Sequence, residues 1–139
     1  MAGVAQLQRQ LVEYRHSLFD EGILGDYFKQ LEQLQDESGP DFVIQVATSF
    51  NNDSENHLHK LTEALEQESV DFEKVVYHVL KLKGSSSCMG AHKVSEICTT
   101  FHNFCKEKNI EKCKKCLEQV KDERSLLKGK LETLFEASK

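Results

Sequence analysis

The chain of 139 residues has no tryptophan, one proline and seven glycines. So few turn formers argue against a fold of many short strands and point to a mostly helical one. No apolar run approaches the roughly 18 residues that a membrane span requires. The first ten residues, Met1 to Gln10, lack the apolar stretch of a signal peptide. The protein is therefore expected to stay inside the cell, with no membrane as partner. A basic excess is missing too: 18 Lys and Arg stand against 23 Asp and Glu, a net charge of −5, which argues against nucleic acid as a partner.

A zinc site also lacks its parts. The five cysteines are Cys88, Cys98, Cys105, Cys113 and Cys116; an odd number without secretory context predicts reduced thiols. Cys113-Lys-Lys-Cys116 is a C-x-x-C, but no second pair matches it and the nearby His102 lies on another predicted helix. Two ligands fall short of the four a structural zinc needs, and a thioredoxin-type motif would need a β-α-β setting. The cysteines are expected to be ordinary helix-face residues, with no metal and no cofactor bound.

What is present is helical periodicity in one domain spanning residues 1–139, long enough for a single core. Val4, Leu7, Leu11, Tyr14 and Leu18 form a first stripe. Gly22 and Gly25 break it, and Asp26 is placed to cap a second helix carrying Phe28, Leu31 and Leu34. Ser38-Gly39-Pro40 reads as a stop, with Pro40 suited to the first position of the next helix.

A third helix is expected from about Asp41 to about Glu68, lined by Phe42, Val46, Phe50, Leu58, Leu61 and Leu65. The polar run from Asn51 to Asn56 is poor helix material, and the favoured reading is one continuous helix. Asp71 is a plausible N-cap for a fourth helix with Val75, Val76, Val79 and Leu82. A fifth carries Val94, Ile97, Phe101 and Phe104; a sixth starts near Asn109 and uses Leu117, Val120, Leu127, Leu131 and Leu134. Short breaks between stripes imply antiparallel neighbours, hence a bundle.

Chemistry concentrates on the fourth helix, in the segment from Leu80 to Gly90, Leu-Lys-Leu-Lys-Gly-Ser-Ser-Ser-Cys-Met-Gly. At about 100° per residue, positions 76, 77, 80, 83, 84 and 87 share a face. Lys-Gly-Ser-Ser alone is a weak signal: it is not a P-loop, because Gly-x-x-x-x-Gly-Lys is missing. The plain alternative is a helix interior with small residues against a neighbour. His78 lies two residues from Leu80, a turn of about 200° that carries it to nearly the opposite side of the helix. No nucleophile, base and orienting group are legible around His57, His59, His92 or His102.

The segment resembles the active-site segment of the plant histidine-containing phosphotransfer (HPt) proteins, whose pattern reads His-x-Leu-Lys-Gly-Ser-Ser-x-x-x-Gly and whose first His carries the phosphoryl group. Lys83, Gly84, Ser85, Ser86 and Gly90 fall in register, and the histidine position holds Leu80. Two further regions are similar: Ser17-Leu-Phe-Asp-Glu-Gly-Ile-Leu24 with Phe28, Leu31 and Leu34-Gln-Asp-Glu37, and the C-terminal stretches Cys98-x-x-Phe101-x-x-Phe104-Cys105 and Lys130-Leu-Glu-Thr-Leu-Phe135. The resemblance thus spans nearly the whole chain.

The resemblance implies an all-α fold, an HPt-type antiparallel four-helix bundle with two additional N-terminal helices, about six in all. It implies receiver domains of hybrid histidine kinases and response regulators as partners, a monomer in the cytoplasm and nucleus, and a place in a cytokinin-type phosphorelay. In the family an exposed imidazole attacks a phosphoaspartate on the receiver, which supplies the Mg²⁺; a Lys one turn on offsets phosphoryl charge and a Gly lets the partner approach.

By position, receiver docking falls to Leu80, Lys83, Gly84 and Ser87, with Gln35, Phe28 and Leu31 of the second helix; core packing is the plain alternative for Phe28 and Leu31. Leu80 has no lone pair, so the expected function is a non-catalytic (pseudo) module that occupies receivers and competes, not an enzyme. Two alternatives stand beside it: an active phosphorelay mediator, either through another His or with this chain an engineered His-to-Leu form of an active parent, and an unrelated helical scaffold. Lys81 reads as a solvated charge, as do Lys106, Lys108, Lys112, Lys114 and Lys115.

Overall fold

Each predicted stripe folds as a helix. The computed structural model describes residues 2–39 and 41–137, and Pro40 lies outside the described residues. The helices are α1 (Ala2–Asp20), α2 (Asp26–Ser38), α3 (Phe42–Leu65), α4 (Phe72–Met89), α5 (His92–Lys106) and α6 (Ile110–Ala137). There is no strand among the described residues, and no helix there is long and apolar enough to cross a membrane.

Helices α3 to α6 form a closed ring: α3 packs on α4, α4 on α5, α5 on α6, and α6 back on α3. Their facing stripes make one core, with Leu61, Val75, Val79, Phe101 and Val120 fully enclosed. Each such side chain contributes about 1.5–3 kcal/mol through removal from water. Helix α2 lies against α3 and α4, while α1 packs on α6, where the Tyr14 hydroxyl donates to the Lys130 carbonyl at 3.1 Å. A two-pronged ion pair from Arg15 to Glu32 ties α1 to α2.

Three local expectations change. Asp26 is the first helical residue rather than the cap; Gly25, extended, holds that position, and its N–H donates to the Gly90 carbonyl at 2.9 Å. Helix α3 stops at Leu65, three residues short of Glu68. The α1 stripe is buried at Leu18 but open at Val4 and Leu7.

The polar run from Asn51 to Asn56 stays helical, as expected, and its inner side has a partner. Arg124 of α6 donates to Ser54 Oγ at 3.2 Å and to the Asn51 carbonyl at 2.8 Å. Asp71 caps α4 as its type and position suggested: its carboxylate accepts from the N–H groups of Glu73 and Lys74 at 3.1 and 3.3 Å.

Candidate functional site

From its cap at Asp71, α4 runs 18 residues and ends where Gly90 turns into the left-handed region at φ +79°. Its inner face is Val75, His78, Val79, Leu82, Ser86 and Met89, all buried. On the outer face Tyr77, Leu80, Lys81 and Gly84 are exposed, while Val76, Lys83 and Ser87 are half-buried. The face drawn from the helical repeat is therefore the one that meets solvent. Leu80 stands near its middle, 44% exposed.

The small residues of the segment divide by role. Ser85 and Ser86 turn their hydroxyls back to the Leu82 carbonyl at 3.2 and 2.6 Å, which satisfies them within the helix. Ser87 shares a hydrogen bond with Ser95 of α5, Oγ to Oγ at 2.9 Å. These serines are accounted for by close helix packing. Gly84 is not, since a Cβ placed there would meet nothing within 4 Å. The packing of the fold thus places no demand for glycine at this position.

Lys83 lies toward α5, near enough to Cys98 and His102 for its charge to act on both. Lys81 carries its ammonium 5.6 Å from the Tyr77 ring centre. The outer face is thus an apolar patch, Tyr77 and Leu80, followed by a cationic side chain and an open glycine. Such a surface can bind through its apolar centre. Position 80 itself supplies no nucleophile, because a leucine side chain has no lone pair to attack phosphorus.

Of the second-helix residues nominated for docking, Phe28 is a correction. It is 0% exposed and its backbone abuts Gly90, so it belongs to the core and no partner can touch it. Leu31 is half-buried against that core, and Gln35 is half-buried with its Oε1 accepting from the Val43 N–H at 3.3 Å. Leu34, assigned to the same stripe, is exposed.

Tyr27 of α2 was not nominated from the sequence. It is exposed and lines a recess with Ser87, Gly90, His92 and Ser95 at the far end of the outer face. The signal was an aromatic one step off the apolar stripe, in the first turn of a helix anchored to Gly90.

The histidine of α4 turns away from this face. His78 points inward to His57, Nδ1 to Nδ1 at 2.9 Å. Burial, the charge on His57 and those on Lys74 and Lys60 hold it below the ordinary histidine pKa. His59 and His92 are exposed, paired one turn on with Glu63 and Glu96 at 2.9 and 2.8 Å.

The cysteines of α5 and α6 turn inward: Cys98, Cys105, Cys113 and Cys116 are buried, with Cys105 and Cys113 sulfurs 3.8 Å apart. Burial pushes all four thiols up, Cys98 to about 12. Among the described residues no group of three or more His, Cys, Asp or Glu side chains could hold a metal. The lysines at 106, 108, 112, 114 and 115 are exposed, a solvated face.

The fold agrees with what known proteins show. The Hpt domain family matches residues 45–136, from within α3 almost to the end of α6. The chain belongs to the histidine-containing phosphotransfer family. It is 53% identical to histidine-containing phosphotransfer protein 1 of Arabidopsis thaliana, over 95% of this chain and 86% of that protein. It is 39% identical to pseudo histidine-containing phosphotransfer protein 2 of Oryza sativa subsp. japonica, over 95% and 87%. The crystal structure of the phosphotransfer protein MtHPt2 from Medicago truncatula superposes with a TM-score of 0.91, at 45% identity, covering 95% of this chain and 90% of that one. The chain is thus a member of a plant phosphorelay family, whose modules meet receiver domains.

Proposed function

We propose that this protein is a non-catalytic, pseudo-HPt module. It docks on receiver domains of hybrid histidine kinases and response regulators in a cytokinin-type multistep phosphorelay, accepts no phosphoryl group, and restrains the relay by competition. It acts in this reading as a monomer in the cytoplasm and nucleus, and it is not an enzyme.

One observation supports the reading: Leu80, which stands where the motif resemblance puts the phosphoacceptor, is exposed on a face that also carries Lys83 and the open Gly84. Phosphoryl transfer depends on positioning and charge stabilisation around a nucleophile; here the surroundings are kept and the nucleophile is absent. An exposed apolar side chain beside Tyr77 supplies contact area where the family's imidazole would have stood. Two rice relatives, 39% and 40% identical, bear the word pseudo in their names.

The competing reading is an active mediator. The higher identity to an Arabidopsis protein named without that word favours it, and the inward pairing of His78 weighs against it. A reconstituted relay separates the two. With a phosphorylated receiver, an active HPt protein and a final receiver, this chain should remain unlabelled while flux falls in proportion to its concentration. Acid-labile phosphate on this chain overturns the proposal. So does unchanged flux at large excess together with no receiver in a pull-down.

A further inference from the structure

His57 on α3 and His78 on α4 meet on the inner side of the helix that carries the docking face. Both rings are buried, each 9% exposed. Their Nδ1 atoms are 2.9 Å apart and their ring centres 5.1 Å apart, with the planes inclined by 56°. The two ring radii make up nearly all of the difference between those distances, so each Nδ1 faces the other head-on. That is the geometry of an N–H···N hydrogen bond. A metal held by both nitrogens would need their lone pairs to converge to one side of that line. The pair therefore shares a proton.

Asp53 Oδ1 lies 3.5 Å from His57 Nε2. It favours a proton on that nitrogen and leaves His57 Nδ1 to accept from His78 Nδ1–H. On the other side the Tyr77 ring meets His78 edge-on, at 5.1 Å and 84°. Tyr77 is itself on the docking face, beneath the Lys81 ammonium. A continuous line of contacts, Asp53–His57–His78–Tyr77–Lys81, thus joins the α3–α4 packing to the surface.

The other charges that face the pair are Lys60 on α3 and Lys74 on α4. Arg124 of α6 is engaged with Ser54, Asn51 and Glu55. Neutral, the pair holds one proton between two nitrogens. A further proton is tolerated, because a charged ring still donates to a neutral one. A second is not: both Nδ1 atoms then carry hydrogen, the bond is lost, and two like charges confront each other in a buried site.

We propose that the His57–His78 pair is a proton-gated clasp. Closed, it ties α3 to α4 and seats Tyr77 on the docking face. Doubly protonated, it opens, Tyr77 loses its seat, and affinity for receivers falls. The effect on affinity rests on the docking function proposed above; the clasp itself does not.

The test follows the imidazole nitrogens and the Tyr77 ring by NMR in the unmodified protein from pH 7.5 to 4.5. In parallel, the affinity of a response-regulator receiver domain is measured for the unmodified protein and for His57→Gln. Gln accepts from His78 but takes up no proton, so the receiver's own titration cancels in the ratio of the two affinities. The expected result is two coupled titration steps more than about one pH unit apart. Tyr77 should respond to the lower step only, and the affinity ratio should fall about tenfold across the range.

Two independent titrations near the ordinary histidine value overturn the proposal, as does a Tyr77 ring indifferent to the lower step, or a flat ratio with binding intact. Failure to bind a receiver at any pH strikes the docking function instead, and the NMR titration then decides the clasp alone. That titration also decides if the His57→Gln variant does not fold.

Discussion

A Cβ atom on Gly90 would stand 2.4 Å from the backbone nitrogen of Phe28. The end of α4 and the start of α2 touch backbone to backbone there, and the Gly25 N–H to Gly90 carbonyl bond seals the contact. At φ +79° an L side chain is also strained in its own right. Gly90→Ala should therefore destabilise the protein by more than about 2 kcal/mol. Gly84→Ala, in a helix interior with nothing near its Cβ, should stabilise it by about 0.5–1 kcal/mol. Urea denaturation midpoints of the two variants should move in opposite directions.

Bulk at Gly84 should separate folding from binding. Gly84→Gln leaves the core untouched, because its side chain projects from an open position. Stability should stay within about 1 kcal/mol of the parent, while receiver binding by calorimetry should weaken at least tenfold. Full binding by a folded Gly84→Gln protein would remove this face from the interface.

Leu80→His should restore phosphate acceptance, since Lys83 and Gly84 already stand on the same face. Residue 80 is exposed, so the substitution should alter stability by no more than about 0.5 kcal/mol. Transfer of label from a phosphorylated receiver to the variant, and not to the parent, is the measurement.

Phe28 and Tyr27 are neighbours in sequence and should behave oppositely. Phe28→Ala empties a fully enclosed site and should cost about 3–5 kcal/mol of stability. Tyr27→Ala removes an exposed ring and should cost less than about 0.5 kcal/mol, yet weaken receiver binding about tenfold, as loss of an aromatic contact does.

Stability should fall on acidification through the histidine range. His78 is held below its ordinary pKa in the folded chain, so around and below pH 6.5 the unfolded chain binds more protons at this site. The contribution is fully present above the unfolded value and declines as pH drops beneath it. Urea midpoints at pH 7.5 and 5.5 should differ less in His78→Gln than in the parent.

Periodicity alone placed all six helices, because apolar repeats in a bundle mark the faces that pack. It did not say what covers each face. Val4 and Leu7 continue the stripe of Leu18 yet lie open, and Phe28, nominated for a partner, is covered by the protein itself. The Asp71 cap was legible because its partners are two and three residues away; Gly25 was not, since what holds it is Gly90, far along the chain. Leu80, Lys83 and Gly84 could be placed on one face from helix geometry, which is local. The meeting of His57 with His78 depends on how two helices register across 21 residues, and no motif records that.

Because Leu80 stands outside the core, folding restrains what occupies that position only through the demands of the helix itself. Under the proposed reading, a duplicated gene for an active relay protein can exchange its phosphoacceptor for another helix-compatible residue there at little cost in stability. Inheritance of such a change is then governed by its effect on signal strength alone. A relay whose carrier keeps its chemistry on the outside of the fold can acquire an antagonist in a single substitution.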